Sequence, residues 1–258
     1  MRIGDVELVP LNDGVCRMDA DFYVDMDWSA HADLLNAAGQ IEIPIGCFLL
    51  RTADRVVLLD AGMGPVTLDW GQGGLLPSAL AAAGVTPGEI DTVVCTHLHV
   101  DHIGWLVQDG QPFFPNATVR FGIGDAEHFA EDGRVGDITD ALGGRVELID
   151  GDNVGLAPGL TALHTPGHTP GHYGLVVSSG EERAVLLGDA VECPLQLDEP
   201  DFYAMSDVDP ALAKRTRDAL WRELEGTPAL VGAAHFPGLE FGRVLRGRGK
   251  RWFPYSRS

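Results

Sequence analysis

The sequence predicts an α/β fold of layered, mixed sheets. Short apolar and β-branched runs recur at residues 3–10, 43–59, 90–95, 184–187 and 229–231. Such runs, bounded by turn residues, read as strands. Helical stretches with recognisable starts and stops are interleaved with them. At 258 residues and 45% hydrophobic composition, the chain has enough apolar side chains for a sizeable core. One layered domain spanning residues 1–258 is expected.

In chain order, residues 3–10 form the first strand. Residues 11–40 then read as a long irregular excursion, with a short helix over 29–38. Long connections in compact domains are often functional. This one carries Phe22, Tyr23, Met26 and Trp28 and is expected to cap a pocket or to pack as a dimer-forming loop. Residues 43–59 are strand. A Gly-Gln-Gly-Gly turn at 71–74 leads into a helix over 75–83. Another helix covers 124–131, with Gly133 after it and His128 on its surface. Asp209 and Pro210 open the clearest helix, which runs to about residue 225. Asp209 serves as N-cap and Gly226 as stop. The basic residues Arg243, Arg246, Arg248, Lys250 and Arg251 are expected on a final exposed strand.

The densest chemistry lies at 96–102, Thr-His-Leu-His-Val-Asp-His, which sets three imidazoles and a carboxylate within six positions. His97 and His99, two apart in extended backbone, face one side. Asp101 and His102 follow the start of a turn, and Gly104 frees the backbone behind them. Three further donors, His168, Asp189 and His235, each follow an apolar run. Ligands at strand ends are held by a packed sheet, which suits a preorganised site. Seven N and O donors without an obligatory thiolate can hold two divalent transition metals and leave positions for water. Two metals sharing a water generate hydroxide near neutral pH, the chemistry of a hydrolase.

His-x-His-x-Asp-His at 97–102, with His168, Asp189 and His235 downstream, resembles the metallo-β-lactamase superfamily. Residues 43–50, the Leu-Leu-Asp-Ala-Gly-Met-Gly turn at 58–64 and Thr-Pro-Gly-His-Thr-Pro-Gly-His at 165–172 are similar to segments of that family. The resemblance implies an αββα sandwich with two metals at one edge between the sheets. Carried over, it places one metal on His97, His99 and His168, the other on Asp101, His102 and His235, with Asp189 bridging. It puts the third histidine at His168, leaving His172 to support it. Zinc is the implied metal, with manganese, cobalt and iron as alternatives. Asp189 stands where β-lactamases of the family place Cys, and His99 stands where the redox di-iron branch has Glu; together they favour a hydrolytic centre.

The segment 189–201, Ala-Ala-His-Phe-Pro-Gly at 233–238 and Gly-Lys-Arg-Trp-Phe-Pro-Tyr at 249–255 resemble the branch of lactonases, aryl esterases and methyl-parathion-type hydrolases. The implied activity is cleavage of a lactone or carboxylic ester by a metal-bridging hydroxide, with promiscuity toward organophosphate triesters. Asp101 would be catalytic as well as a ligand, passing a proton to the leaving alkoxide. A glyoxalase-II-like thioesterase and a mono-iron thiol dioxygenase are the alternatives. Many acyl-homoserine lactonases of the family carry a tyrosine three positions after the bridging Asp; here that position is Glu192. Tyr23 and Tyr203 are candidates to replace it. Phe22, Tyr23, Trp28, Glu192 and Cys193 are the expected pocket residues.

With 18 basic and 38 acidic residues the net charge is −20, a field that repels nucleic-acid phosphates. Cys16, Cys47, Cys95 and Cys193 lack disulfide-like spacing; Cys47 and Cys95 read as buried thiols. The N-terminal residues lack the apolar core of a signal peptide, and no run reaches the ~18 apolar residues of a membrane span. A cytoplasmic enzyme with a small-molecule ester or lactone substrate, no nucleic-acid or membrane partner, and a homodimeric assembly by analogy with similar lactonases is expected.

Overall fold

Side-chain direction alternates along the two longest strands, and because residues 45–50 are buried throughout, both faces of the sheet are covered there. The computed structural model describes residues 1–199, 201–247 and 252–255. Val6–Asp19 and Gln40–Arg51 pair antiparallel from Glu7 opposite Arg51 to Asp19 opposite Gln40. Successive side chains point to opposite faces. Leu8, Phe48 and Leu50 therefore enter one cluster, while Leu11, Cys47 and Leu49 enter another.

The first sheet runs Val146–Ile149, Thr118–Gly122, Thr92–Val94, Val56–Leu59, Gln40–Arg51, Val6–Asp19, Gly71–Gln72 and Thr67–Leu68. Its first four strands are mutually parallel and the others antiparallel. The second runs Asn153–Ala157, Leu160–His164, Tyr173–Ser179, Glu182–Leu186, Leu230–Gly232, Gly242–Val244 and Trp252–Pro254. In it only Glu182–Leu186 and Leu230–Gly232 are parallel neighbours.

Leu8, Phe48, Leu50 and Leu59 of the first sheet meet Leu160, Leu175, Val177 and Leu186 of the second, so one core lies between the sheets. The outer face of the first sheet packs Leu49, Leu58 and Val93 on Leu76 and Leu80 of the Leu76–Ala82 helix and on Ile138 and Leu142 of Arg134–Leu142. The outer face of the second packs Val176, Val185 and Val231 on Leu220 and Leu224 of Pro210–Leu224. The layers are αββα. Each fully buried aliphatic side chain contributes about 1.5–3 kcal/mol to this stack.

Three sequence expectations shift. The first strand continues to Asp19, past a register shift between Asn12 and Gly14, so the excursion begins at residue 20 rather than 11. Its second half looked irregular because Arg17 and Asp19 sit on the cavity side, where the apolar alternation breaks. Residues 29–38 hold the single 3₁₀ turns Trp28–Ala30 and Ala32–Leu34 instead of a helix. Neither buries a residue, and a segment without an apolar stripe has nothing to hold a longer helix down. The Arg134–Leu142 helix was not anticipated; its Ile138 and Leu142, spaced i,i+4, are its buried residues.

The clearest helix follows expectation: Asp209 accepts from the Leu212 amide at 2.8 Å, and Gly226 adopts φ 69° just beyond its end. Arg243 and Arg246 are exposed as expected, whereas Arg248, Lys250 and Arg251, with Gly249 and Pro200, lie outside the described residues. No described helix is long and apolar enough to cross a membrane.

Candidate metal centre

Each candidate ligand sits just beyond a strand end. Val56–Leu59 and Thr92–Val94 run parallel side by side. Asp60, left-handed at φ 62°, follows the first, and Thr96-His97 follow the second. Asp60 accepts from the Thr96 amide at 2.7 Å and its hydroxyl at 3.0 Å, which turns the chain toward His97 and His99. A one-turn helix, Val100–Ile103, then presents Asp101 and His102. His168 lies in the loop 165–172, Asp189 in the 3₁₀ turn Gly188–Ala190, and His235 three residues after Leu230–Gly232.

Gly167 fits that loop for a steric reason. Its φ is 134°, and a Cβ there would lie 2.2 Å from the Ala213 amide nitrogen of the long helix. The loop is thereby packed directly on the helix. Asp125 joins the two segments that carry histidines: it accepts from the Leu98 amide at 3.0 Å, the Thr169 hydroxyl at 3.0 Å and the Gly171 amide at 2.6 Å.

The seven side chains converge as two sets. His99 Nδ1 lies 3.0 Å from His97 Nε2 and 2.9 Å from His168 Nε2, and Asp189 Oδ2 lies 3.8 and 3.6 Å from the latter two. In the second set, Asp101 Oδ2 lies 3.6 Å from His102 Nε2 and 3.5 Å from His235 Nε2, with Asp189 Oδ2 at 3.4 and 3.2 Å. Ligand atoms about 2.1 Å from a tetrahedral metal stand about 3.4 Å apart. Both sets match that spacing, and one carboxylate oxygen is common to them. His102 Nε2 and Asp189 Oδ1 are buried without a hydrogen-bond partner, a costly arrangement that a cation relieves. The residues present therefore fit two divalent metals.

The outward nitrogens fix the tautomers. His102 Nδ1 meets Asp60 at 2.9 Å, His168 Nδ1 meets Asp207 at 3.0 Å, and His235 Nδ1 meets the Pro44 carbonyl at 2.7 Å. These partners only accept, so Nδ1 carries a proton and Nε2 is the nitrogen turned inward. The Thr96 hydroxyl, which donates to Asp60, presents its acceptor side to His97 Nδ1 at 3.0 Å. His172 differs: its Nε2 accepts from the Asp189 amide at 3.0 Å, so it holds the backbone of Asp189 and faces neither set.

Burial dominates the electrostatics. It pushes His99 down to about 2 and His172 to about 3, each helped by the nearby His168. Burial would also lower His235, yet the charge and hydrogen bond of Asp189 raise it to about 9. Asp189 itself is held well below the carboxylate range because His235, His102 and His97 outweigh its burial.

A cavity of about 680 Å³ opens over this floor. His99, Asp101, His168, Asp189 and His235 reach it, and Phe22 and Glu192 line it as expected. Glu192 is 3% exposed, and burial pushes its carboxyl up to about 7. Tyr23, Trp28 and Cys193 do not line the cavity but pack behind its wall. Phe22 closes the 3₁₀ turn Ala20–Phe22, whereas Tyr23 opens the strand Tyr23–Val24 that pairs with Tyr203–Ala204, and the two rings touch edge-on at 5.1 Å. Tyr23 stacks edge-on against Phe202 at 5.5 Å, and the Trp28 indole donates to the Ala20 carbonyl at 2.7 Å. Neither Tyr23 nor Tyr203 brings a phenol to the cavity. Sequence reading missed the wall residues Arg17, Trp70, Arg134, Met205 and Ser206, and the buried carboxylates Asp13, Asp125 and Asp207. Trp70 beside the Gly-rich turn at 71–74 was the one accessible signal.

Residues 43–235 match the sequence pattern described as the metallo-beta-lactamase superfamily. An N-acyl homoserine lactonase from Bacillus cereus is 26% identical over 220 residues, covering 77% of this chain and 85% of that protein. Among solved structures, AidC, a dizinc quorum-quenching lactonase, superposes with a TM-score of 0.89 at 23% identity, over 100% of this chain and 97% of that one. AbOPH, a hydrolase in the beta-lactamase superfamily, gives 0.86 at 25% identity over the same shares. The chain belongs to the metallo-beta-lactamase superfamily and is a metal-dependent hydrolase.

Proposed function

We propose that this protein is a two-metal hydrolase of lactones or carboxylic esters, with secondary activity toward organophosphate triesters. One observation carries the reading: two donor sets at metal spacing share Asp189 Oδ2 at the floor of an open cavity. The Bacillus lactonase relative supports the lactone class.

His97, His99 and His168 would hold one divalent metal and Asp101, His102 and His235 the other, with Asp189 common to both, and such metals would supply water activation and carbonyl polarisation. Asp189 and Asp101 supply the negative charge that draws cations into a histidine-rich pocket. Asp101 reaches the cavity with its carboxylate 13% exposed, so it can take the proton of the attacking water. It then returns that proton to the alkoxide oxygen as the acyl carbon–oxygen bond breaks. Phe22 and Trp70 offer apolar surface to the acyl portion, and Glu192, three positions after Asp189, lines the same cavity.

The test is metal analysis and turnover on one sample. About two zinc, manganese or cobalt ions per chain with lactone or ester hydrolysis is the expected result. One iron per chain without hydrolysis overturns the reading.

A further inference from the structure

Among His97, His102, His168 and His235, His168 is the one whose outward nitrogen faces an ion pair. Asp207 Oδ1 lies 3.0 Å from His168 Nδ1, while Asp207 Oδ2 accepts from Arg217 Nη1 at 3.3 Å. Both side chains are buried, Arg217 to 2% and Asp207 to 1% exposure. The other outward nitrogens meet Asp60, the Thr96 hydroxyl and the Pro44 carbonyl.

Stability alone does not account for this pair. Arg217 Nε and Nη2 are buried without a hydrogen-bond partner. Exchanging a buried ion pair for apolar side chains of similar volume is often neutral or stabilising. The arrangement is accounted for if it holds something in place. The backbone around it points the same way: the Val208 amide donates to the His168 carbonyl at 2.9 Å and the Asp209 amide to the Gly167 carbonyl at 3.0 Å. The segment that carries Asp207 thus grips His168 by main chain and side chain. Arg217, from the Pro210–Leu224 helix, fixes the carboxylate that does so.

We infer that Asp207 and Arg217 are positioning residues that fix the rotation of the His168 imidazole and so govern the first donor set separately from the second. The inference rests on the two-metal reading above. Asp207 sets the ring so that Nε2 meets His99 Nδ1 at 2.9 Å. Asp60 and the Pro44 carbonyl do the same work for the second set and make no contact with the Asp207–Arg217 pair. Outer partners of this kind commonly change metal affinity about 10–100-fold.

The experiment loads the full chain with zinc, and separately with cobalt, then removes metal by chelator competition. It compares the wild type with Asp207→Asn, Arg217→Lys and the double variant Asp207→Asn/Arg217→Met. The double variant removes both buried charges and, with the guanidinium gone, leaves the amide at 207 unfixed toward Nδ1–H. Asp207→Asn and the double variant are expected to weaken one metal equivalent about 10–100-fold and to change its cobalt absorption band. The other equivalent stays as in the wild type. Arg217→Lys, which keeps the charge, recovers most of the affinity. Thermal unfolding of the double variant near that of the wild type, alongside the weakened equivalent, separates positioning from folding. If the double variant binds both equivalents as tightly as the wild type, or loses both equally, the inference is overturned. A wild type that takes up one equivalent overturns the two-metal reading instead; the role of Asp207 is then decided by whether that equivalent weakens in Asp207→Asn.

Discussion

At the floor of the cavity, His97, His102, His168 and His235 each have the outward nitrogen tied to a buried or backbone partner. Along the wall, Arg17, Phe22, Trp70 and Met205 come from separate stretches of chain and keep part of their surface in solvent, Met205 as much as 65%. The floor is cross-braced by carboxylates such as Asp60 and Asp125, which use several acceptor sites each. The wall is braced mainly by packing and by one short strand pair, Tyr23–Val24 with Tyr203–Ala204. A preorganised floor suits chemistry that tolerates little displacement. A wall assembled from loops can change composition without disturbing it, which is how one fold accommodates different substrates.

The sharpest test of this division is Asp189→Ala, which removes the oxygen common to both donor sets. Metal content and hydrolysis should fall together, by more than about 100-fold in activity, since even outer partners cost 10–100-fold. Elemental analysis beside a rate assay checks this. Retention of two metals with full activity would place the bridge elsewhere.

Asp125→Ala addresses the bracing. Three donors, the Leu98 and Gly171 amides and the Thr169 hydroxyl, lose their acceptor. Unsatisfied buried donors cost about 1–3 kcal/mol each, so about 3 kcal/mol or more of stability should be lost. A fall in Tm of about 6 °C or more is expected for a chain of this size. An unchanged Tm would show that solvent satisfies these groups and that the floor is less rigid than its hydrogen bonds imply.

Glu192 sits where floor meets wall. Its Oε1 accepts from the Ser206 hydroxyl at 2.9 Å, and its Oε2 is buried without a hydrogen-bond partner. Glu192→Gln keeps the shape and removes the charge. Metal content should hold, because Asp207 at 3.0 Å stays the nearer partner of His168 Nδ1 than Glu192 at 3.4 Å, while the ratio of kcat/KM between lactone and aryl ester moves by about tenfold. A shift in metal content with no change in that ratio would assign Glu192 to the floor.

The two regions also differ in how far the sequence revealed them. His97, His99, Asp101 and His102 were legible because they lie within six positions, and His168, Asp189 and His235 because each follows an apolar run. Local geometry links His97, His99, Asp101 and His102 to one another before any tertiary contact is known. The αββα layering followed from the family resemblance. Asp125 and Asp207 were not legible: an isolated Asp in a polar stretch carries no sign that it is buried. Asp207 acquires its role only when the chain brings it 3.0 Å from His168, 39 positions away. Trp70 and Arg134 reach the cavity from segments remote from each other and from the motif, which no period or spacing encodes.

Phe22 and Tyr23 show why the wall resists sequence reading, and the smallest prediction turns on their neighbourhood. Within one aromatic-rich stretch, Phe22 lines the cavity, whereas Tyr23 and Trp28 pack behind it. Phe22 ends a 3₁₀ turn, while Tyr23 is held by its pairing with Tyr203–Ala204, a segment some 180 positions away. Phe22→Ala should therefore raise KM for substrates with an apolar acyl portion, by about tenfold for the loss of about 1.5 kcal/mol of buried surface. Its kcat and Tm should hardly move. Trp28→Ala removes an indole whose nitrogen donates to the Ala20 carbonyl and whose ring lies 6.3 Å from that of Tyr23. It should lower Tm by a few degrees, as expected for about 1 kcal/mol in a chain of this size, and leave the order of preferred substrates intact. Steady-state kinetics on a short-chain and a long-chain ester, paired with thermal unfolding, separate the two variants. If Trp28→Ala reorders the substrates while Phe22→Ala does not, the wall is formed by the opposite face of this stretch.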